Sequence, residues 1–284
     1  MKTVHTIAEL RAHIAAWREA GERIALTPTM GNLHRGHLRL VEAGRAQAQR
    51  VVTSVFVNPL QFGMNEDFDR YPRTLDADAA QLEQAGCDLL FAPSVTEMYP
   101  RGREGFTVIS VPRYAHILEG EFRPGHFDGV ATVVNLLLNI VRPDIALFGE
   151  KDYQQLLVIR QMAADLHLPI EIRGVPTERE TNGLALSSRN QYLSASERER
   201  ASALHRVLSG VADHLRAGDR DFDQLCERGL SELREAGFRP QYLVVRRPDL
   251  QRAEVADSEF RILLAAFLGS TRLIDNIPVS AGTT

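Results

Sequence analysis

Hydrophobic residues in the first two thirds of the chain form short apolar runs that alternate with amphipathic stretches. The apolar runs have the length and β-branched content of buried strands, and they lie at residues 23–26, 51–57, 88–92 and 145–148. Helical periodicity between and around them predicts helices at residues 6–20, 36–49, 75–85, 127–141 and 153–167. Strands that alternate with helices at this spacing predict an α/β fold with a doubly wound parallel sheet.

The last third of the chain has a different order of elements. Residues 176–189 are rich in Thr, Ser, Asn and Gly and have no clear periodicity. Ser194 and Glu197 form a capping-box pattern that opens a helix to about Ala217, and a second helix is predicted near 222–236. Strand-like runs follow at 241–245 and 261–268. We therefore predict one domain over residues 1–184 and a smaller C-terminal α+β domain over residues 185–284.

Composition narrows the class of protein. The chain has 284 residues, of which 44% are hydrophobic and 25% charged, which is typical of a globular protein. A net charge of -4 provides no bulk attraction for nucleic acid or a membrane surface, and no run of 18 uncharged apolar residues is present. The first residues lack the apolar core of a secretory signal, and Cys87 and Cys226 are far apart. We expect a cytoplasmic protein with no nucleic-acid or membrane partner.

Two histidines follow the first long strand, in the segment 28–37. His34 and His37 are three residues apart at the predicted start of a helix, so they share one face. Gly31 and Gly36 permit a ligand to approach the backbone, and a helix N-terminus favours phosphate. Two imidazoles there could stabilise the charge that develops on a leaving pyrophosphate. The alternative is that the two histidines only cap the helix or lie in the core.

Three further polar clusters follow strands or lie in the aperiodic segment. Gln61 follows the strand at 51–57 and could bind a hydroxyl and a carboxylate together. Lys151 follows the strand at 145–148, and Gln155 lies four residues later on the same helical face. Ser187, Ser188 and Arg189 would suit a triphosphate. The alternatives are a loop amide bonded to backbone, a solvated turn with a salt bridge, and a polar linker.

The motifs together resemble a known family. The His34-Arg35-Gly36-His37 arrangement resembles the HIGH signature of the nucleotidyltransferase superfamily, and Ser187-Ser188-Arg189 resembles its second, mobile phosphate-binding signature. PTMGNLHRGH, VFVNPLQF, FGEKDYQQ and GLALSSRN in this order are similar to the pantoate–β-alanine ligase family. The resemblance spans about residues 25–190 and continues into a C-terminal domain of the expected size.

The resemblance implies an enzyme that condenses pantoate with β-alanine at the expense of ATP, through a pantoyl adenylate, and releases AMP and pyrophosphate. It implies a Rossmann-like ATP- and pantoate-binding domain at 1–184, a lid domain at 185–284, and a homodimer. Mg²⁺ is expected with ATP, and no ligand for it is assigned, although Asp76 and Asp78 are candidates. The alternatives are another nucleotidyltransferase, an aminoacyl-tRNA synthetase-like protein, and a non-catalytic ATP-binding sensor.

The resemblance also assigns residues. His37 is the favoured proton donor, with His34, Lys151 and Arg189 as the other catalytic groups. Contacts with ATP are implied for Pro28, Met30, Gly31, His34, His37, Gly149, Glu150, Lys151, Asp152, Glu178, Leu186, Ser187, Ser188 and Arg189. Contacts with pantoate or β-alanine are implied for Asn58, Gln61, Gln155, Val130, Val133 and Val134.

Some of these positions carry an alternative or depart from the family. The three valines could equally be plain core. Leu186 stands where the family usually has Met, and Glu178 stands where an aliphatic residue near adenine is common.

Overall fold

The structure is a computed structural model that describes residues 1–63, 66 and 68–282. The chain divides into two compact units. The first unit comprises Met1–Glu150 and Gln154–Pro176, and the second comprises Lys151–Tyr153 and the chain from Thr177 onward. The boundary predicted at residue 184 therefore falls inside the second unit.

The first unit is built on a parallel sheet of six strands. The strands are β1 Lys2–Val4, β2 Ile24–Thr29, β3 Arg50–Val55, β4 Leu89–Phe91, β5 Ile145–Gly149 and β6 Glu171–Val175. Their spatial order is β1-β4-β3-β2-β5-β6, and every neighbouring pair is parallel. The chain moves outward in one direction from β2 and in the other from β5. The carboxyl ends of β2 and β5 therefore flank the switch point at which such sheets bind ligands.

Helices connect and cover these strands. They are α1 Ile7–Glu19, α2 Arg35–Arg45, α3 Leu75–Gln84, α4 Val95–Met98, α5 Pro112–Ala115, α6 Glu119–Phe122, α7 His126–Val141 and α8 Tyr153–Asp165. Leu40 and Val41 of α2 belong to one apolar cluster with Leu82 of α3, Val51 of β3 and Leu147 of β5. Burial of such side chains contributes about 1.5–3 kcal/mol each, which holds the helices on the sheet.

Helix α7 packs unusually closely against the turn that follows β3. This turn is a 3-10 helix at Pro59–Gln61. A Cβ atom on Gly129 would lie 2.3 Å from the carbonyl oxygen of Leu60 and 2.7 Å from Cα of Gln61. Only glycine allows the helix and the turn to approach this closely. Their contact restricts the position of Gln61.

The second unit combines helices with an antiparallel sheet. Its helices are α9 Ala195–Ala201, α10 Ala203–Arg216 and α11 Phe222–Glu235, and its strands are β7 Arg239–Arg246, β8 Glu259–Leu268 and β9 Thr271–Ser280. The strand order is β7-β8-β9. Leu204, Val207 and Leu208 of α10 share one core with Phe260 and Ile262 of β8.

The predicted fold class is confirmed, and the differences are local. The strands β1, β6 and β9 were not predicted, because β1 is three residues long and β6 (EIRGV) carries two charges and a glycine on an alternating, half-exposed edge. The single helix predicted from Ser194 to Ala217 is divided at Ser202. The hydroxyl of Ser202 donates to the carbonyl of Glu199 at 2.7 Å, which competes with the regular helical pattern there.

The length and apolarity of the helices decide whether any of them could cross a membrane. Within the described ranges, none of them combines the length and the apolarity that crossing a bilayer requires.

Gly129→Ala tests the close contact of α7 with the turn. We expect the free energy of unfolding to fall by about 1–3 kcal/mol, because the methyl group would overlap the Leu60 carbonyl. The control is Gly210→Ala in α10, where an added Cβ meets nothing within 4 Å, and where we expect no loss or a gain of up to about 1 kcal/mol. Urea unfolding measures both variants. Equal stability of Gly129→Ala and the parent would contradict the packing described.

Candidate active site at the switch point of the sheet

The histidine pair closes the first turn of α2 as a reciprocal cap. His34 is the N-cap residue, and its Nδ1 accepts from the N–H of Gly36 at 3.1 Å. Nδ1 of His37 accepts from the N–H of His34 at 3.3 Å. The two ring centroids are 4.1 Å apart. The two histidines therefore cap helix α2, as the alternative interpretation of the pair states.

Capping fixes the tautomer of both rings. A neutral imidazole that accepts at Nδ1 carries its proton on Nε2, so Nε2–H is the donor that each ring offers beyond the cap. The backbone N–H groups of His34, Gly36 and His37 are all used inside the turn. Whether a phosphate binds at this helix N-terminus stays a prediction. Those backbone donors are used within the turn, and the Nε2–H group is the donor of each imidazole.

The turn before the histidines donates backbone hydrogen bonds to Asp78 of α3. This carboxylate is 1% exposed and accepts from the N–H of Asn32 at 2.9 Å, the N–H of Leu33 at 2.8 Å and the hydroxyl of Thr74 at 3.1 Å. Gly31 and Asn32 both have a positive φ, of 82° and 51°. A Cβ on Gly31 would lie 3.0 Å from Asp78 Oδ2, so glycine also provides the room for the carboxylate.

The geometry around Asp78 bears on magnesium. The carboxylate of Asp78 is buried and used by three donors, so it is not a metal ligand in this arrangement, and Asp76 is the exposed member of the two candidates. Among the residues that the structure describes, no group of three or more His, Cys, Asp or Glu could hold a metal ion.

A second group of residues surrounds Gln61, after β3. Gln61 donates from Nε2 to Sδ of Met30 at 3.0 Å, which joins the turns after β2 and β3. Asn58 is 1% exposed; its Nδ2 donates to Gln61 Oε1 and to the carbonyl of Gly129, both at 3.1 Å. Its Oδ1 accepts from the N–H of Leu60 at 3.3 Å and the hydroxyl of Tyr99 at 2.7 Å.

Asn58 was predicted to contact pantoate or β-alanine. That contact stays a prediction. The amide of Asn58 bonds to Gln61, Gly129, Leu60 and Tyr99, so Asn58 also orients the side chain of Gln61. The burial of Tyr99, which raises the pKa of its hydroxyl, keeps it neutral and able to donate to Asn58.

His126, which bonds to the backbone of Gln61, and its partner Arg123 were not singled out in the sequence. His126 Nδ1 donates to the backbone carbonyl of Gln61 at 2.8 Å, and Nε2 of His126 accepts from Arg123 at 3.0 Å. Arg123 also donates twice to the carboxylate of Glu66, at 2.6 Å each. Burial, reinforced by the neighbouring Arg123 charge, lowers the pKa of His126 to about 4.

Helices α7 and α8 supply the remaining predicted residues of the first unit. Val130, Val133 and Val134 are 2%, 6% and 5% exposed, so α7 buries all three. Gln155 on α8 is half-buried, whereas its neighbour Gln154 is buried and donates to the carbonyls of Tyr114 and Ile117 at 2.7 and 2.8 Å.

The predicted nucleotide segments at residues 28–31 and 149–150 lie at the ends of the two switch-point strands. Pro28 belongs to β2, and Met30 and Gly31 follow it. Gly149 ends β5, and Glu150 begins a 3-10 helix. Because β2 and β5 are paired neighbours in the sheet, both segments leave the same edge.

In the second unit, Lys151 and Asp152 form the end of that 3-10 helix. Lys151 Nζ lies 3.5 Å from Asp152 Oδ1, and its side chain is 17% exposed. The backbone carbonyl of Lys151 accepts from Nδ2 of Asn276, on β9, at 2.8 Å.

The remaining predicted residues lie on and after a tight hairpin of the second unit. The carbonyl of Glu178 accepts from the N–H of Leu186 at 2.9 Å, so the backbone of Glu178 takes part in the hairpin. Ser187 Oγ accepts from the N–H of Arg189 at 3.3 Å and caps the 3-10 helix Ser188–Tyr192. Asn190 is buried and donates from Nδ2 to the carbonyl of Ala185 at 3.0 Å, which closes the loop back onto the hairpin.

Comparison with known proteins identifies strong similarities over the whole chain. A sequence profile described as Pantoate-beta-alanine ligase matches residues 2–278. A pantothenate synthetase of Azotobacter vinelandii is 58% identical over 280 residues, covering 98% of this chain and 99% of that one. A second, of Thioalkalivibrio sulfidiphilus, is 56% identical over 280 residues, covering 98% of each chain.

Solved structures agree with these sequence relatives. A pantothenate synthetase crystal structure from Thermus thermophilus has a TM-score of 0.91 at 48% identity, covering 98% of this chain and 99% of that chain. A pantoate-beta-alanine ligase from Francisella tularensis, complexed with beta-gamma ATP and beta-alanine, has a TM-score of 0.83 at 34% identity, covering 98% of this chain and 97% of that chain.

The lowered pKa of His126 predicts a pH-dependent stability. Its folded pKa of about 4 lies below the ordinary value of 6.5, so between these values the unfolded chain binds more protons than the folded one. Its contribution is complete above pH 6.5 and is lost as the pH falls toward about 4. Urea unfolding across this window should show a shallower dependence for His126→Asn. The exposed His116→Asn is the control and should keep the slope of the parent. Equal slopes for all three proteins would contradict the assignment.

Proposed function

The chain belongs to the pantoate–β-alanine ligase family, and we propose that it condenses pantoate with β-alanine at the expense of ATP through the residues described above. In the first step a pantoate carboxylate oxygen attacks the α-phosphorus of ATP, forming pantoyl adenylate and releasing pyrophosphate. In the second step the β-alanine amine attacks the acyl carbon, the bond to the AMP oxygen breaks, and pantothenate and AMP leave.

The observation that carries the proposal is the fixed tautomer of the histidine pair. His34 and His37 are each held at Nδ1 by backbone N–H groups, so each presents Nε2–H where the strand order reverses. The first step gathers negative charge on the departing pyrophosphate. Prearranged N–H donors stabilise that charge without having to reorient during the reaction. Of the two, His37 is proposed as the proton donor.

Lys151 and Arg189 are proposed to bind phosphate oxygens, with Asp152 on the ribose and Ser187 and Ser188 beside Arg189. The proposal is supported by their chemistry, since a carboxylate and a triphosphate repel one another and cations must offset that repulsion. Pro28, Gly31, Gly149, Glu150, Glu178 and Leu186 are proposed nucleotide contacts. The backbone of Glu178 is ordered in its hairpin, which supports a main-chain contact that tolerates this side chain.

Gln61 and Gln155 are proposed to hold pantoate, and Gln61 also β-alanine. A fixed amide suits this task because it donates and accepts at once, and the bonds of Gln61 to Asn58 and Met30 restrict its rotamer. Val130, Val133 and Val134 are proposed as the apolar surface for the methyl groups of pantoate; their burial fits this role and fits core packing equally.

The setting of the enzyme is also proposed. Mg²⁺ would accompany ATP and neutralise part of the phosphate charge when bound, held mostly by the phosphates and water. Residues 1–184 are proposed as the ATP- and pantoate-binding domain and residues 185–284 as the lid. A homodimer in the cytoplasm is proposed from the family resemblance, and the free thiols Cys87 and Cys226 are consistent with a reducing compartment.

A product assay tests the function. The protein is incubated with ATP, Mg²⁺, pantoate and β-alanine, and AMP, pyrophosphate and pantothenate are quantified. We expect one AMP per pantothenate and no AMP without pantoate. Pyrophosphate without AMP would instead indicate transfer of an adenylyl or cytidylyl group to a phosphorylated substrate, and pantoate-dependent AMP with no condensed product would reject the ligase.

Two replacements of His37 separate the cap from the catalytic donor. In His37→Asn, Oδ1 can still accept the N–H of His34, but the donor at the Nε2 position is lost. We expect normal stability and adenylate formation slower by about 10²-fold, the scale of a lost oxyanion donor. His37→Gln keeps a donor near Nε2 and should be faster than His37→Asn. Rapid-quench measurement of pantoyl adenylate compares them, and a near-normal rate for His37→Asn would reduce His37 to a helix cap.

A further inference from the structure

Two adjacent residues of β9 bond to Lys151 and to Arg179, which lies in the hairpin that leads to Ser187. Asn276 is 4% exposed and donates from Nδ2 to the carbonyl of Lys151 at 2.8 Å. Asp275 is 3% exposed and accepts two hydrogen bonds from Arg179, at 2.6 and 2.9 Å. Neither residue belongs to any of the four motifs, since they lie far along the chain from Lys151 and Arg189.

Further bonds of Arg179 connect Asp275 to the hairpin that leads to Ser187. Besides Asp275, Arg179 donates to the carbonyl of Gly183 at 3.0 Å and to the carbonyl of Asn276 at 3.3 Å. The hairpin is closed by an antiparallel bridge between Arg179 and Ala185. The carbonyl of the same Ala185 accepts from Asn190 at 3.0 Å, so the loop carrying Arg189 is attached at both ends.

The strand provides a rigid base for these two anchors. Residues 271–280 of β9 pair continuously with β8, including Asp275 with Leu264 and Asn276 with Leu263. The N–H of Asn276 also donates to Asp275 Oδ1 at 2.7 Å, which fixes the rotamer of the carboxylate. The doubly bonded pair of Arg179 with the buried Asp275 is rigid, because movement would leave the buried carboxylate without compensation.

We propose that Asp275 and Asn276 are positioning residues that set the places of Lys151 and of the Ser187–Arg189 loop relative to each other. This inference rests on the proposed function, which assigns both segments to phosphate. Asn276 acts through the backbone of Lys151, and Asp275 acts through Arg179 and the hairpin. Neither touches substrate. Asp275 and Asn276 would hold the cations of Lys151 and Arg189 at a fixed spacing. This matters because a displacement of about 1 Å is enough to slow a reaction between positioned groups by about 10²-fold.

A double-mutant cycle tests the Asn276 arm. The variants are Lys151→Ala, Asn276→Ala and their combination, with Asn276→Leu as a second variant that keeps the bulk of the side chain in the buried strand and cannot donate. Adenylate formation is measured by rapid quench. We expect Asn276→Ala and Asn276→Leu to slow it by about ten- to hundredfold with an unchanged KM for pantoate. In the Lys151→Ala background the same changes should slow adenylate formation by less than about twofold, because the side chain that Asn276 positions is absent.

The outcomes separate this inference from the proposed function. Normal adenylate formation by Lys151→Ala would remove Lys151 from the mechanism and reject both. A slow Lys151→Ala together with Asn276 variants that are harmless, or whose losses multiply with that of Lys151→Ala, would reject the positioning role alone. Lys2→Ala, an exposed lysine at the start of β1, is the control for loss of a lysine.

The Asp275 arm is tested through Arg179→Lys. Lysine keeps the charge but cannot bridge both oxygens of Asp275 and two carbonyl groups. We expect about tenfold slower adenylate formation that largely disappears in an Arg189→Ala background. Full additivity of Arg179→Lys with Arg189→Ala, or no effect of Arg179→Lys, would overturn the role of this arm.

Discussion

The shape of the histidine turn depends on one buried carboxylate. Asp78 lies beneath the turn after β2 and gathers two consecutive backbone N–H groups and one hydroxyl. A buried carboxylate is costly unless it is fully hydrogen-bonded, so the turn and the carboxylate stabilise each other. The left-handed conformations of Gly31 and Asn32 turn these N–H groups toward Asp78, and the helix that begins at Arg35 then starts in a defined position.

Because the turn is fixed from within the protein, its histidines serve two purposes at once. Each Nδ1 closes the helix cap, and the choice of tautomer that follows makes each Nε2 a donor. A comparable arrangement occurs in the second unit, where Asn276 bonds to the backbone of Lys151 and Asp275 binds Arg179 in the hairpin before Ser187. The reaction we propose needs little covalent chemistry from the protein. It needs donors and cations held at constant spacing, and buried amides and carboxylates beneath the motifs provide that constancy.

The sequence predicted the parts of this protein that depend on local pattern. Parallel strands, the boundaries of α1 and α7, and the capping box of Ser194 with Glu197 follow from periodicity and cap chemistry. The supporting residues could not be found this way. Asp78 was singled out only as a candidate magnesium ligand, and Asp275 and Asn276 read as polar breaks in an apolar run. The partners of these three residues are 46, 96 and 125 residues away. Asn58 was predicted to contact substrate because its motif resembles a binding segment, and its bonds to Gln61, Gly129 and Tyr99 could not be predicted from the sequence.

The most direct test is the rate of pantoyl adenylate formation in Asp78→Asn, compared with Glu83→Gln, an exposed carboxylate-to-amide change on the same helix. The amide would bring an N–H group against the backbone N–H of Asn32 or Leu33, so the turn would move and carry the histidines with it. The account predicts a loss of about 10²-fold in Asp78→Asn and a normal rate in Glu83→Gln. A normal rate in Asp78→Asn would contradict the claim that this carboxylate sets the geometry of the site.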